Sequence, residues 1–136
     1  MSEENVELAR RLVDAWNSRD LEAILALCDP EIEYVNSPTA VEPGTRRGHD
    51  ELAAVFQAQW EILLDASQEI DRIYDHGEEI IFLTRVSRRV SPESEARLDD
   101  RVLVSWKFRD GKVIRSQILG FGTEVPEAFK AVGLEE

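Results

Sequence analysis

The chain changes its hydrophobic period part-way along. In the first stretch, Val6, Ala9, Val13 and Trp16 recur at spacings of three and four, and Leu8 and Leu12 widen the stripe, which predicts an amphipathic helix. Ser2, with Glu3 and Glu4 behind it, reads as the start of that helix. Asn17-Ser18-Arg19 breaks it, and Asp20 can cap a second helix carrying Leu21, Ile24, Leu25, Leu27 and Cys28. Pro30 ends the second helix, because the residue before a proline avoids the helical region. Glu31 to Asn36 then alternates, with Ile32, Tyr34 and Asn36 on one side, and predicts a short strand. The segment 37–47 contains Pro38, Pro43 and Gly44 and reads as a loop. A third helix begins near Gly48-His49-Asp50, with Leu52, Val55, Phe56, Gln59, Trp60, Leu63 and Leu64 on its stripe.

After Asp65 the period becomes two. The runs Glu69 to Tyr74 and Glu79 to Val90 flank Asp75-His76-Gly77-Glu78, a hairpin signal, and Asp110-Gly111 is a second one. With Asp110-Gly111 as a two-residue loop, Arg109 faces Lys112. Counting outward then pairs Phe108 with Val113, Trp106 with Arg115, Val104 with Gln117 and Val102 with Leu119. That register turns Gln117 to the concave side of the sheet and lays Arg115 over the indole of Trp106. Pro126, Ala128, Phe129 and Val132 predict a short terminal helix that Gly133 stops.

Helices segregated from a run of strands predict an α+β fold, a curved antiparallel sheet wrapped around three N-terminal helices. The length suits one domain over residues 1–136. The long strands are apolar on both faces: Ile80, Phe82 and Val86 alternate with Ile81 and Leu83, and Val102, Val104 and Trp106 alternate with Leu103. One face can be covered by the chain's own helices, so a sheet-to-sheet homodimer is expected to cover the other.

Charge narrows the possible partners. There are 28 acidic and 16 basic residues, a formal net charge of -12, which repels phosphate backbones and anionic lipid. Neither a nucleic acid nor a membrane partner is expected, and the charge otherwise serves solubility. Cys28 is the only cysteine, so no internal disulfide can form, and it reads as a small buried hydrophobe. No apolar run approaches a membrane span, and the start of the chain lacks a signal-peptide core, which leaves a cytoplasmic location as the expectation. His49 and His76 are far apart with no His-x-x-x-His or cysteine pairing, so no metal site is expected. No glycine-rich phosphate loop is present, and no cofactor is expected.

Four phrases together resemble a known family: VELARRLVDAWNSRDLEAILALCDPEIEY, GTRRGHDELAAVF, DGKVIRSQ and EAFKAVGL. The chain is similar, over essentially its whole length, to the SnoaL-like branch of the nuclear-transport-factor-2-like superfamily. The resemblance implies a cone-shaped, cystatin-like or ketosteroid isomerase-like roll, often dimeric, with a pocket between the helices and the concave sheet. The superfamily also holds ketosteroid isomerases, polyketide cyclases, scytalone dehydratase and limonene epoxide hydrolase, so the fold does not name an activity. Ketosteroid isomerisation uses an aspartate base with a tyrosine and a protonated aspartic acid as donors. Carried onto this chain, the tyrosine position falls on Leu12, the base on Asn36 and the acid on Val104. An asparagine amide is no carboxylate base, and Leu12 and Val104 carry no donor, so the isomerase acid/base residues are absent.

The candidate ligand-facing set is Trp16, Tyr34, Asn36, Phe56, Trp60, Val104, Trp106, Gln117 and Phe121, with Tyr34, Asn36 and Gln117 as its polar points. Such a lining predicts a site for a small, largely apolar organic molecule. The alternatives are a cofactor-independent cyclase, hydratase or hydrolase acting on a polyketide- or terpenoid-like substrate, and an interaction module with a vestigial pocket. No catalytic residue can be named from the sequence.

Overall fold

A computed structural model describes residues 2–40 and 42–135. Helix α1 (Ser2–Asn17) ends at a turn where Arg19 adopts φ 55°, and Asp20 caps α2 (Leu21–Ala26) by accepting the backbone N–H of Ala23 at 3.1 Å. Strand β1 (Cys28–Asn36) follows at once. Cys28 therefore opens a strand and does not close a helix. Pro30 is tolerated there because it lies in the irregular part of the β1 pairing, between Cys28 and Glu33. The segment expected as a loop contains a short edge strand, β2 (Gly44–Arg47), which leads directly into α3 (Gly48–Ile62).

The meander consists of β3 (Ser67–His76), β4 (Glu79–Arg89), β5 (Arg97–Arg109) and β6 (Lys112–Phe121), followed by α4 (Val125–Ala131). All six strands join one sheet in the order β2-β1-β6-β5-β4-β3. The sheet is antiparallel except where β1 runs parallel to β6. Asp110 and Gly111 both have positive φ, 53° and 75°, as a two-residue hairpin turn whose twist matches its strands requires.

The helices rest on the flanks of the curved sheet, α1 against β3 and α3 against β1. Ala9, Trp16, Ile24, Ile32, Leu52 and Phe108 bury between them at one end.

The outer face is where one expectation changes. The chain covers much of it itself. Val125, Ala128 and Phe129 of α4 pack on Ile81, Leu83 and Leu103, which are almost fully buried without any second copy. The helix comes so close to β6 that a Cβ placed on Gly120 would sit 2.7 Å from the Ala128 Cβ. Tyr74 stacks edge-on against Phe129, with ring centres 5.9 Å apart. The apolar outer side chains from which a dimer was expected thus have an internal partner, because the terminal helix folds back over the sheet.

Candidate functional site

Counting outward from the Asp110-Gly111 turn fails after two pairs. Arg109 faces Lys112 and Phe108 faces Val113 as expected, but Lys107 then faces Arg115. Ile114 is an extra residue on β6, a bulge, and it reverses which face each later side chain takes. Trp106 faces Ser116, Ser105 faces Gln117 and Val104 faces Ile118. A second slip, at Leu119, pairs Leu103 with Gly120 and Val102 with Phe121. Gln117 therefore lies on the outer face beside Ser105 and does not reach the cavity. Arg115 is likewise on the outer face and not over Trp106; its Nε is buried without a hydrogen-bond partner.

The inner face now reads Asp100, Val102, Val104 and Trp106 on β5, Phe82, Thr84 and Val86 on β4, Ser116 and Ile118 on β6, and Tyr34 and Asn36 on β1. With Leu12, Val13 and Trp16 of α1 and Val55, Phe56, Gln59 and Leu63 on the α3 side, these residues enclose a cavity of about 680 Å³. Thr39, Glu42, Arg46, Phe121 and Glu124 also border it. Phe121 is 49% exposed, which marks that end as the mouth. Thr39 and Glu124 hydrogen-bond there, joining the β1–β2 loop to the start of α4.

Of the sequence-predicted set, Trp16, Tyr34, Asn36, Phe56, Val104, Trp106 and Phe121 line this cavity. Trp60 does not. The turn of α3 points it at α1, where its indole N–H donates to the Trp16 carbonyl at 3.2 Å and its ring stacks on Phe56. His49, at the start of α3, is tied by Nε2 to the Cys28 carbonyl at 3.0 Å. Leu12, Asn36 and Val104, which take the three isomerase positions, all lie on the cavity wall.

The polar atoms of the wall are tightly arranged. Asn36 is largely committed to its own loop: its amide N–H donates to the Glu42 carbonyl at 3.1 Å and its oxygen accepts the Ser37 N–H at 3.0 Å. Tyr34 is 4% exposed, and its hydroxyl accepts from Gln59 Nε2 at 3.2 Å. The Gln59 oxygen in turn accepts the indole N–H of Trp16 at 3.0 Å. Burial pushes the Tyr34 pKa up to about 12, against smaller opposing effects from the Gln59 hydrogen bond and the Arg46 charge. Trp106 donates its indole N–H to Ser116 Oγ at 2.7 Å and meets Phe82 edge-on, with centres 4.4 Å apart. Asp100 has its carboxylate 3.7 Å from Arg88 Nε.

Sequence reasoning did not bring Gln59, Ser116 or Asp100 into the ligand-facing set. Gln59 was visible as the one polar residue in the α3 stripe. Ser116 was legible from the doublets Val113-Ile114 and Ile118-Leu119, the two places where β6 breaks its alternation. Asp100 is in phase with Val102 and Val104 and needed only the same counting.

A mostly apolar pocket between the helices and a curved sheet is the geometry the sequence phrases implied. The sequence model of the SnoaL-like domain family matches residues 9–116. The chain belongs to the SnoaL-like domain family. No curated protein matches it significantly. Solved structures with the same fold include TerC co-crystallised with polyporic acid, at 22% identity and a TM-score of 0.74 over 91% of this chain and 95% of that one. A protein from Catenulispora acidiphila DSM 44928 with a ketosteroid isomerase-like fold, in complex with trimethylamine, aligns at 13% identity with a TM-score of 0.73, covering 95% of this chain and 94% of that one. A Jannaschia sp. CCS1 protein provisionally described as a SnoaL-like polyketide cyclase aligns at 16% identity with a TM-score of 0.76, covering 100% and 96%. At these identities the likeness is one of fold. Among the described residues, no helix of this SnoaL-like chain is long and apolar enough to cross a membrane, and no three His, Cys, Asp or Glu side chains group as a metal site.

Proposed function

We propose that this SnoaL-like protein binds a small, largely apolar organic molecule, of polyketide or terpenoid size, in the cavity. One observation carries the proposal: a space of about 680 Å³ lined mainly by Trp16, Phe56, Phe82, Val104, Trp106 and Ile118, with few polar atoms converging on it. That volume and composition are those of small-ligand pockets. Its polar points are Tyr34 and Ser116, in place of Gln117. Fold relatives crystallised with polyporic acid and with trimethylamine give the scaffold a precedent for holding small molecules.

No isomerase step is assigned to Leu12, Asn36 or Val104, since none can take up or give a proton. A second reading, a cofactor-independent cyclase, hydratase or hydrolase, is favoured by the Asp100 carboxylate on the cavity wall. A sheet-to-sheet dimer belongs to the same proposal. It would use the half-buried part of the outer face around Val35 and Gln117.

A thermal-shift and native mass spectrometry screen of apolar cyclic ketones, quinones, terpenoids and hydrocarbons tests the proposal. Stabilisation by at least one class, lost on Val104→Trp, which fills the cavity, is the expected result. Failure of every class to bind would end it. Turnover of a bound compound that disappears in Asp100→Asn would move the reading to the enzyme. Light scattering at micromolar concentration decides the dimer.

A further inference from the structure

Two tryptophans fix the direction of two hydroxyls in the cavity. An indole N–H can donate and never accept. Trp106 donates to Ser116 Oγ, so the Ser116 hydroxyl is an acceptor in that bond and keeps its own proton. Trp16 donates to Gln59 Oε1, which forces the amide NH₂ of Gln59 toward Tyr34. Tyr34 Oη must accept from that NH₂, so its proton is also uncommitted. Among the described residues, neither hydroxyl donates to a protein acceptor.

The two residues share one wall. Tyr34 and Ser116 are partners in the parallel β1–β6 register, and both line the cavity. The phenol carries its hydroxyl out toward Gln59 of α3, and the Ser116 hydroxyl stays at the sheet beside Trp106. Both residues are buried, at 4% and 7% exposure, so the only space their hydroxyl protons can reach is the cavity. Because burial raises the Tyr34 pKa to about 12, its hydroxyl remains a donor through the neutral range.

From this geometry we infer that Tyr34 and Ser116 form a donor edge, two uncommitted hydroxyls on one wall of the cavity, and that the ligand bears a hydrogen-bond-accepting oxygen, the carbonyl of a ketone, quinone or ester, set against one of them. The inference rests on the cavity being a ligand site and adds the chemical class of the head group. Gln59 is a positioning residue: it touches Tyr34 and sets which way the hydroxyl points.

The test compares fluorenone with fluorene, which share a ring skeleton and differ by one carbonyl oxygen. Each is measured against the full chain by equilibrium dialysis, and the carbonyl stretch of bound fluorenone is recorded by infrared difference spectroscopy. Fluorenone is expected to bind about tenfold more tightly, with its stretch moved to lower wavenumber than in hexane. In Tyr34→Phe/Ser116→Ala the advantage shrinks below about threefold and the stretch moves back. Equal wild-type affinities, or an unshifted stretch, would overturn the donor edge while leaving the cavity a binding site. If neither compound binds, the donor edge is overturned, and the wider screen of ligand classes decides the cavity reading separately. The wild-type comparison and the spectrum need no variant, so a misfolded double mutant does not spare the inference.

Discussion

The side-chain oxygen of Gln59 accepts the indole N–H of Trp16 at 3.0 Å, across 43 positions of sequence. This bond joins α3 to α1 and passes on to Tyr34 of β1 through the other end of the same amide. Gln59→Leu keeps the volume but strips both partners, leaving a buried indole donor unpaired. The expected cost is about 1–3 kcal/mol in chemical unfolding. A neutral effect would show that the bridge is replaced by water.

Alkaline pH should destabilise the fold more steeply than the surface charges alone would. The native pKa of Tyr34 is about 12 against an ordinary 10.0, so between these values the unfolded chain loses a proton that the native one keeps. Stability is then fully present below pH 10 and falls as pH rises toward 12, by about 1.4 kcal/mol per pH unit for this one group. Cys28, raised from 9.0 to about 12 mainly by burial, adds to the fall from pH 9 upward. Thermal melts from pH 8 to pH 11.5 measure the slope, and Tyr34→Phe should flatten it.

The same burial makes Cys28 chemically quiet. A thiol that stays protonated and 4% exposed offers little thiolate to an alkylating reagent. Iodoacetamide at pH 8 should label it at least about a hundredfold more slowly in the native protein than in urea. Mass spectrometry over a time course reads the ratio.

The β6 bulge predicts opposite outcomes for adjacent residues. Gln117 is on the outer face and Ile118 on the cavity wall. Gln117→Thr should change unfolding free energy by less than about 0.5 kcal/mol, and Ile118→Thr should cost roughly 1–3 kcal/mol. The unslipped register predicts the reverse order.

The terminal helix should be needed for a stable sheet. Phe129 is 2% exposed against Tyr74 and the outer strands. Phe129→Ala should cost about 3–5 kcal/mol and, by baring Ile81, Leu83 and Leu103, increase binding of an apolar dye. Gly120→Val tests the same contact from the strand side, since Ala128 leaves no room for a side chain there. A wild-type melting temperature for both variants would show that α4 is a loose cover.

Local signals carried far in this chain. The apolar stripes of α1 and α3, the cap at Asp20 and the positive-φ turn at Asp110-Gly111 each need only a few neighbouring residues, so one-dimensional order determined them, and with them the element sequence and the family phrases. The side of the sheet on which Gln117 and Ser116 fall was decided otherwise. A bulge forms where two strands trade residues under twist, and one inserted residue reverses every later side chain. The cover over the outer face, the turn of Trp60 away from the cavity and the bond between Trp16 and Gln59 likewise depend on elements distant in sequence meeting in space. Periodicity reports which faces are apolar; it holds no information on which partner each face finds, and that pairing is what set the lining of the cavity.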